Sequence, residues 1–76
     1  MHLKDLNFFV QKERLTANDY IAILDTVGKL HETMIIKIDK NNPRGKYIVS
    51  LPYACVEGKD LQKAVQEALR LFIESI

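Results

Sequence analysis

Seventy-six residues leave room for one domain and one core. At that size only about 60% of the unfolded surface is buried, so a partner surface would add to a thin margin of stability. A net charge of +1 argues against a strongly electrostatic, sequence-blind nucleic-acid binder, and a hydrophobic share of 47% excludes a disordered chain.

The single cysteine, Cys55, excludes an internal disulfide and fits a reducing compartment. No apolar run reaches the ~20 residues of a membrane span, and Met1-His2-Leu3-Lys4-Asp5 is no signal peptide. A cytoplasmic location is the expectation.

Leu6-Asn7-Phe8-Phe9-Val10-Gln11 is short, aromatic and bounded by charges, the pattern of a strand, which is favoured, or of the start of an irregular arm. Lys12-Glu13-Arg14 reads as a solvated connector. Thr16 then fits an N-cap, with Asp19 three residues on, where a carboxylate suits the helix dipole. Tyr20, Ile21, Leu24, Val27 and His31 recur at helical spacing and predict a helix from Ala17 to Leu30. Ile23 and Leu30 widen its apolar arc to about half the circumference, more than one packing face needs. Gly28 either weakens the last turn, by about 1 kcal/mol relative to alanine, or admits a neighbouring backbone.

Thr33 to Ile38 alternates, with Met34, Ile36 and Ile38 on one side and Ile35 and Lys37 on the other, as a half-buried strand does. Asn41-Asn42-Pro43-Arg44-Gly45 is a turn, and Lys46 to Leu51 returns with Tyr47, Val49 and Leu51 on one side. Pro52 cannot donate to a ladder, so pairing should break there, with Ala54 to Glu57 as a brief third strand. After Gly58, Leu61, Ala64, Val65, Ala68, Leu69 and Phe72 build an apolar helical stripe ending near Ser75, while Gln62, Lys63, Gln66, Glu67 and Arg70 are read as facing away.

With these elements placed, residues 33–76 resemble the HicB antitoxin family. The resemblance rests on the strand end Tyr47-x-Val49-Ser50-Leu51-Pro52, on the loop Cys55-Val56, and on Glu57-Gly58 followed by Leu61, Ala64 and Ala68. Three features depart from the family pattern. The Asp-Leu-Pro-Gly that usually follows the strand proline is reduced to Tyr53-Ala54; about thirty residues precede the hairpin; and no DNA-binding segment follows Ile76. The resemblance implies a small module that binds another protein, in the family a small RNA-cleaving toxin, and operator binding does not carry over.

The order α-β-β-β-α also resembles the double-stranded-RNA-binding domain, whose last helix opens with lysines that meet phosphates. Here that helix opens Lys59-Asp60-Leu61-Gln62-Lys63, with an acid among two lysines.

Lys37, Lys40, Arg44 and Lys46 crowd one hairpin, either as a phosphate or RNA contact or as the charges that keep a hairpin tip solvated. Ile35 and Ile48 share the face of Lys37 and Lys46, so the N-terminal segment covers that face or a partner does. Tyr53 stands in the crossover as a candidate hot spot, and Glu57 and Asp60 are placed to meet a basic surface. Cys55 reads as a small buried apolar residue and His31 as a helix-end residue. No spacing points to a metal site, a cofactor or a catalytic group.

The expectation is one α+β domain over residues 1–76: a small antiparallel sheet of three to four strands with two helices. Residues 1–31 would be an N-terminal extension with a helix, and 33–76 the HicB-like module. Met34, Ile36, Ile38, Tyr47, Val49 and Leu51 should meet Leu61, Val65, Ala68, Leu69 and Phe72 in one core. A strand at Leu6 to Val10 would add an edge open to dimer pairing, and in the RNA-binding-domain arrangement the Ala17 helix lies on the sheet beside the last helix. The expected function is non-enzymatic: occlusion of a small basic partner through the sheet edge and the Tyr53–Asp60 crossover. The alternatives are an RNA-binding module or a homo-oligomeric structural or phage accessory protein.

Overall fold

The computed structural model describes residues 2–30, 32–39 and 46–75. Its elements are α1 (His2–Gln11), α2 (Ala17–Lys29), β1 (Ile35–Asp39), β2 (Lys46–Leu51), β3 (Ala54–Gly58) and α3 (Leu61–Ser75). The fold is α+β, with one antiparallel sheet in the order β1-β2-β3. The turn read into residues 41–45, with Lys40, Arg44 and His31, lies outside the described residues.

Local chemistry sets the helix starts. Thr16 closes a capping box: its hydroxyl accepts from the Asp19 amide at 3.3 Å, and the Asp19 carboxylate accepts from the Thr16 amide at 2.7 Å. Asp60 does a similar job for α3, its carboxylate accepting from the Lys63 amide at 3.1 Å. The apolar stripe of α3 is buried as its spacing predicts, through Ala64, Val65, Ala68, Leu69 and Phe72.

The register divides the sheet into two faces. Val49 pairs with Ile36 and Val56, and Ile48 with Lys37 and Glu57. Because side chains alternate along each strand, Val49, Leu51, Ala54 and Val56 point toward α3, and Ile35, Lys37, Lys46, Ile48, Ser50, Cys55 and Glu57 share the open face. Cys55 is therefore exposed, not buried. Its register partner Ser50 fixes it on the side away from the helix.

Four further expectations change. Residues 2–11 are helical, so Leu6 to Val10 is no strand; Leu6 and Phe9 lie three apart on one helix face and are both buried. The helix wins because that spacing docks both side chains on α3, against which α1 packs. Second, α2 packs against α1 and does not lie on the sheet beside α3. Third, Ile36 and Ile38 are exposed, Ile38 by 62%, because α3 covers β2 and β3 and leaves edge strand β1 uncovered. Fourth, Ile21 and Leu24 are exposed; the core face of α2 is made by Ile23 and Val27.

Gln62 and Gln66 do not face away into solvent. The Gln66 amide donates to the Phe9 and Lys12 carbonyls at 3.0 and 2.7 Å, satisfying groups freed where α1 ends. Gln62 donates to the Glu13 carbonyl and accepts from the Leu15 amide, both at 2.9 Å. Two neutral amides, one helical turn apart on α3, thus hold the α1–α2 connector in place. The resulting core joins Leu6, Phe9, Leu15, Ile23 and Val27 from the N-terminal half to Val49, Leu51 and the α3 stripe.

Candidate functional site

Among the described residues, strand β3 is the outer strand opposite β1 and pairs only with β2. A row of backbone groups along Ala54–Gly58 is therefore left free on that side. Beside it, between β3 and the first half of α3, runs a groove of about 460 Å³. Its floor comes from Val56, Gly58 and Ala64, and Lys59, Asp60, Lys63 and Glu67 stand around it. A Cβ placed on Gly58 would reach the Ala64 Cβ at 3.9 Å, in ordinary van der Waals contact.

Strand and helix are locally fixed around this groove. The Asp60 cap starts α3 just after β3 ends, so only Lys59 and Asp60 connect them. Glu67 is held along α3 by Arg70, which also bonds Glu74 at 2.8 Å. That guanidinium pulls the Glu67 carboxyl below its usual range, and the two carboxylates push Arg70 up in turn. Nearby on α2, burial raises the Tyr20 phenol pKa, with the charges of Asp60 and Asp19 adding to it.

The residues singled out from sequence fall in three places. Glu57 and Asp60 both line the groove. Both are already engaged, Asp60 as a helix cap and Glu57 in a 2.6 Å ion pair with Lys46. Tyr53 stands at the other end of β3, in the two-residue turn Pro52-Tyr53, 88% exposed and with φ of 63°. That left-handed value is rare for a bulky side chain. Tyr53 and Asp60 thus flank the five-residue strand β3, which runs one residue beyond the Ala54–Glu57 strand expected.

Ile35, Lys37, Lys46 and Ile48 come together on the open sheet face: Lys37 lies directly across from Ile48. Of the four basic residues read as a phosphate patch, Lys37 and Lys46 are described, and Lys46 is neutralised by Glu57. Lys37 makes no ion pair among the described residues.

The groove itself was missed from sequence. Its signal was the small pair Gly58 and Ala64, whose spacing across the strand–helix junction leaves room that larger side chains would fill. Among the described residues, no group of three or more His, Cys, Asp or Glu side chains could hold a metal ion, and no helix is long and apolar enough to cross a membrane.

No family model, curated protein or solved structure matches the chain.

Proposed function

We propose that this chain is a non-enzymatic protein-binding module of the HicB-like kind, which inhibits a small basic partner by accepting one of its extended segments along β3. The observation that carries the reading is the coincidence of a free strand edge with a groove of about 460 Å³ beside it. An added strand would take its affinity from main-chain hydrogen bonds and its selectivity from alternate side chains, which enter the groove every second residue. Small apolar side chains suit the floor of Val56, Gly58 and Ala64. A cation on the incoming segment can reach Asp60 or Glu67 at the rim, while Lys59 and Lys63 reject one placed a step out of register. Occlusion then follows from strand capture, without chemistry on the partner.

A photo-cross-linking residue at Val56 of the full chain, introduced in source cells, tests this reading. The expected result is one small basic partner captured at position 56, competed by the unmodified chain and not by a Gly58→Leu variant. Equal capture from position 37 on the open face, or competition undiminished by Gly58→Leu, would count against the groove. If the captured species is RNA, and duplex RNA binding by the purified chain weakens steeply with salt, the RNA-binding alternative replaces it.

A further inference from the structure

Helix α2 carries two apolar faces, and only one of them is used within the monomer. Ile23 and Val27 are buried. On another side Ala17, Ile21, Leu24 and Gly28 follow one another at steps of four, three and four residues, all exposed. At 3.6 residues per turn these four positions form one narrow stripe. Ile21 is 65% exposed and Leu24 47%. A Cβ placed on Gly28 meets nothing within 4 Å, so the backbone there is open to close approach.

The stripe is symmetric about its own midpoint. Ile21 and Leu24 lie equally far from the centre, and so do Ala17 and Gly28. When a copy of α2 is laid antiparallel on it, Ile21 meets Leu24 of the partner subunit twice and Ala17 meets Gly28 of the partner subunit twice. In heptad terms each a position packs against a d position, the layering of an antiparallel helix pair.

Charge fits the same orientation. Antiparallel packing sets the positive end of each helix dipole beside the negative end of the other, whereas a parallel pair aligns like ends. It also brings Asp25 of the partner subunit beside Asn18, in the first turn of α2, where backbone amides favour a carboxylate. The Asp25 side chain is 66% exposed and, among the described residues, is paired only along its own helix with Lys29 at 3.2 Å. A 13-residue helix gives a seam about 20 Å long, at the small end of specific interfaces, so the pairing is weak and depends on concentration.

We infer that α2 is a self-association surface, pairing antiparallel with α2 of a second copy across a two-fold axis through Ile21, Leu24, Ala17 and Gly28. No residue lining the β3 groove lies on α2, so the dimer carries two such grooves.

Sedimentation equilibrium of the full chain from about 10 μM to about 1 mM tests the inference. The expected result is a monomer passing to a dimer over that range. Leu24→Glu should abolish the dimer while leaving the thermal melt of the dilute protein unchanged, since Leu24 is outside the core.

A second pair of variants tests the register. Asn18→Lys should tighten the dimer by roughly fivefold through Asp25 of the partner subunit, and Asn18→Asp should loosen it by a similar factor. The dilute monomer should move the other way in each case, because a negative charge favours the first turn of a helix and a positive one does not. A monomer at every concentration would overturn the inference. So would a dimer that survives Leu24→Glu but is lost in Ile38→Glu, which would place the contact on β1, or Asn18 variants whose dimer affinities rank in the reverse order.

Discussion

Tyr53→Gly separates backbone strain from side-chain contact at the hairpin tip. Proline's fixed φ at position 52 followed by a φ of 63° at Tyr53 matches the φ pattern of a type II turn, whose second central position wants glycine. Holding an L-residue there costs roughly 1–2 kcal/mol. Glycine removes that cost and returns about 0.5–1 kcal/mol of it through the greater entropy of the unfolded chain. With the ring 88% exposed, little packing is lost. The variant should therefore be more stable by about 0.5–1 kcal/mol, a Tm rise of roughly 2–8 °C for a domain this small. Urea unfolding followed by circular dichroism, with an unchanged m-value, measures it. Tyr53→Ala keeps the positive φ without the ring and should stay within about 0.5 kcal/mol of the parent. If the glycine variant gains nothing while the alanine variant loses more than that, ring contacts and not backbone strain govern the tip, and the reasoning fails.

Leu6→Ala should cost about 2–5 kcal/mol in the same urea assay, because Leu6 is fully buried in the core; a loss under 1 kcal/mol would mean that α1 is not docked. Gln66→Ala takes the Gln66 donor from the Lys12 carbonyl and leaves the Phe9 carbonyl with the Lys12 amide alone, and should cost about 1–2 kcal/mol, against less than 0.5 for Lys63→Ala on the exposed side of the same helix. The Asp19 carboxyl is held below its usual range, first by the Lys12 ammonium at 2.7 Å and next by the Thr16 amide. A lowered folded pKa contributes stability that is fully present above the unfolded value of about 3.9 and is lost as pH falls through the folded value. Thr16→Ala/Asp19→Ala should therefore flatten the stability profile on the acid side of that value while leaving its shape above pH 6 unchanged; an identical acid limb in both proteins would refute the assignment.

The legible parts of the fold were those whose side chains obey a single period. The stripe of α3, the Thr16 cap and the pairing of β1 with β2 follow from spacing and turn chemistry within a few residues. The N-terminus misled because Phe8 and Phe9 carry strand propensity, while the decisive fact, Leu6 and Phe9 meeting α3 more than fifty residues away, has no local signature. Polarity alone places Gln62 and Gln66 in solvent. Their partners are backbone carbonyls and an amide, which a side-chain pattern does not show. The isoleucines of β1 alternate like a half-buried strand, yet the width of the helical layer decided their exposure. At the candidate site, Glu57 and Asp60 could be picked out as carboxylates near a strand end. That one would pair with Lys46 and the other cap α3 depended on the register of β2 with β3 and on where the helix begins.

The glutamine contacts also set an order of assembly. The two Gln66 bonds span 54 and 57 residues, whereas β2 and β3 join through a two-residue turn and α3 follows after two more. Long closures cost more entropy before any contact rewards them, so the local C-terminal half has the kinetic advantage and α1 docks late. Truncating Leu6 should then leave the refolding rate nearly unchanged and appear almost wholly as faster unfolding, which stopped-flow chevrons would show. A chain growing from the ribosome meets the same asymmetry in reverse. It emits α1 well before α3 and must hold it undocked until the fifteen residues of α3 have emerged.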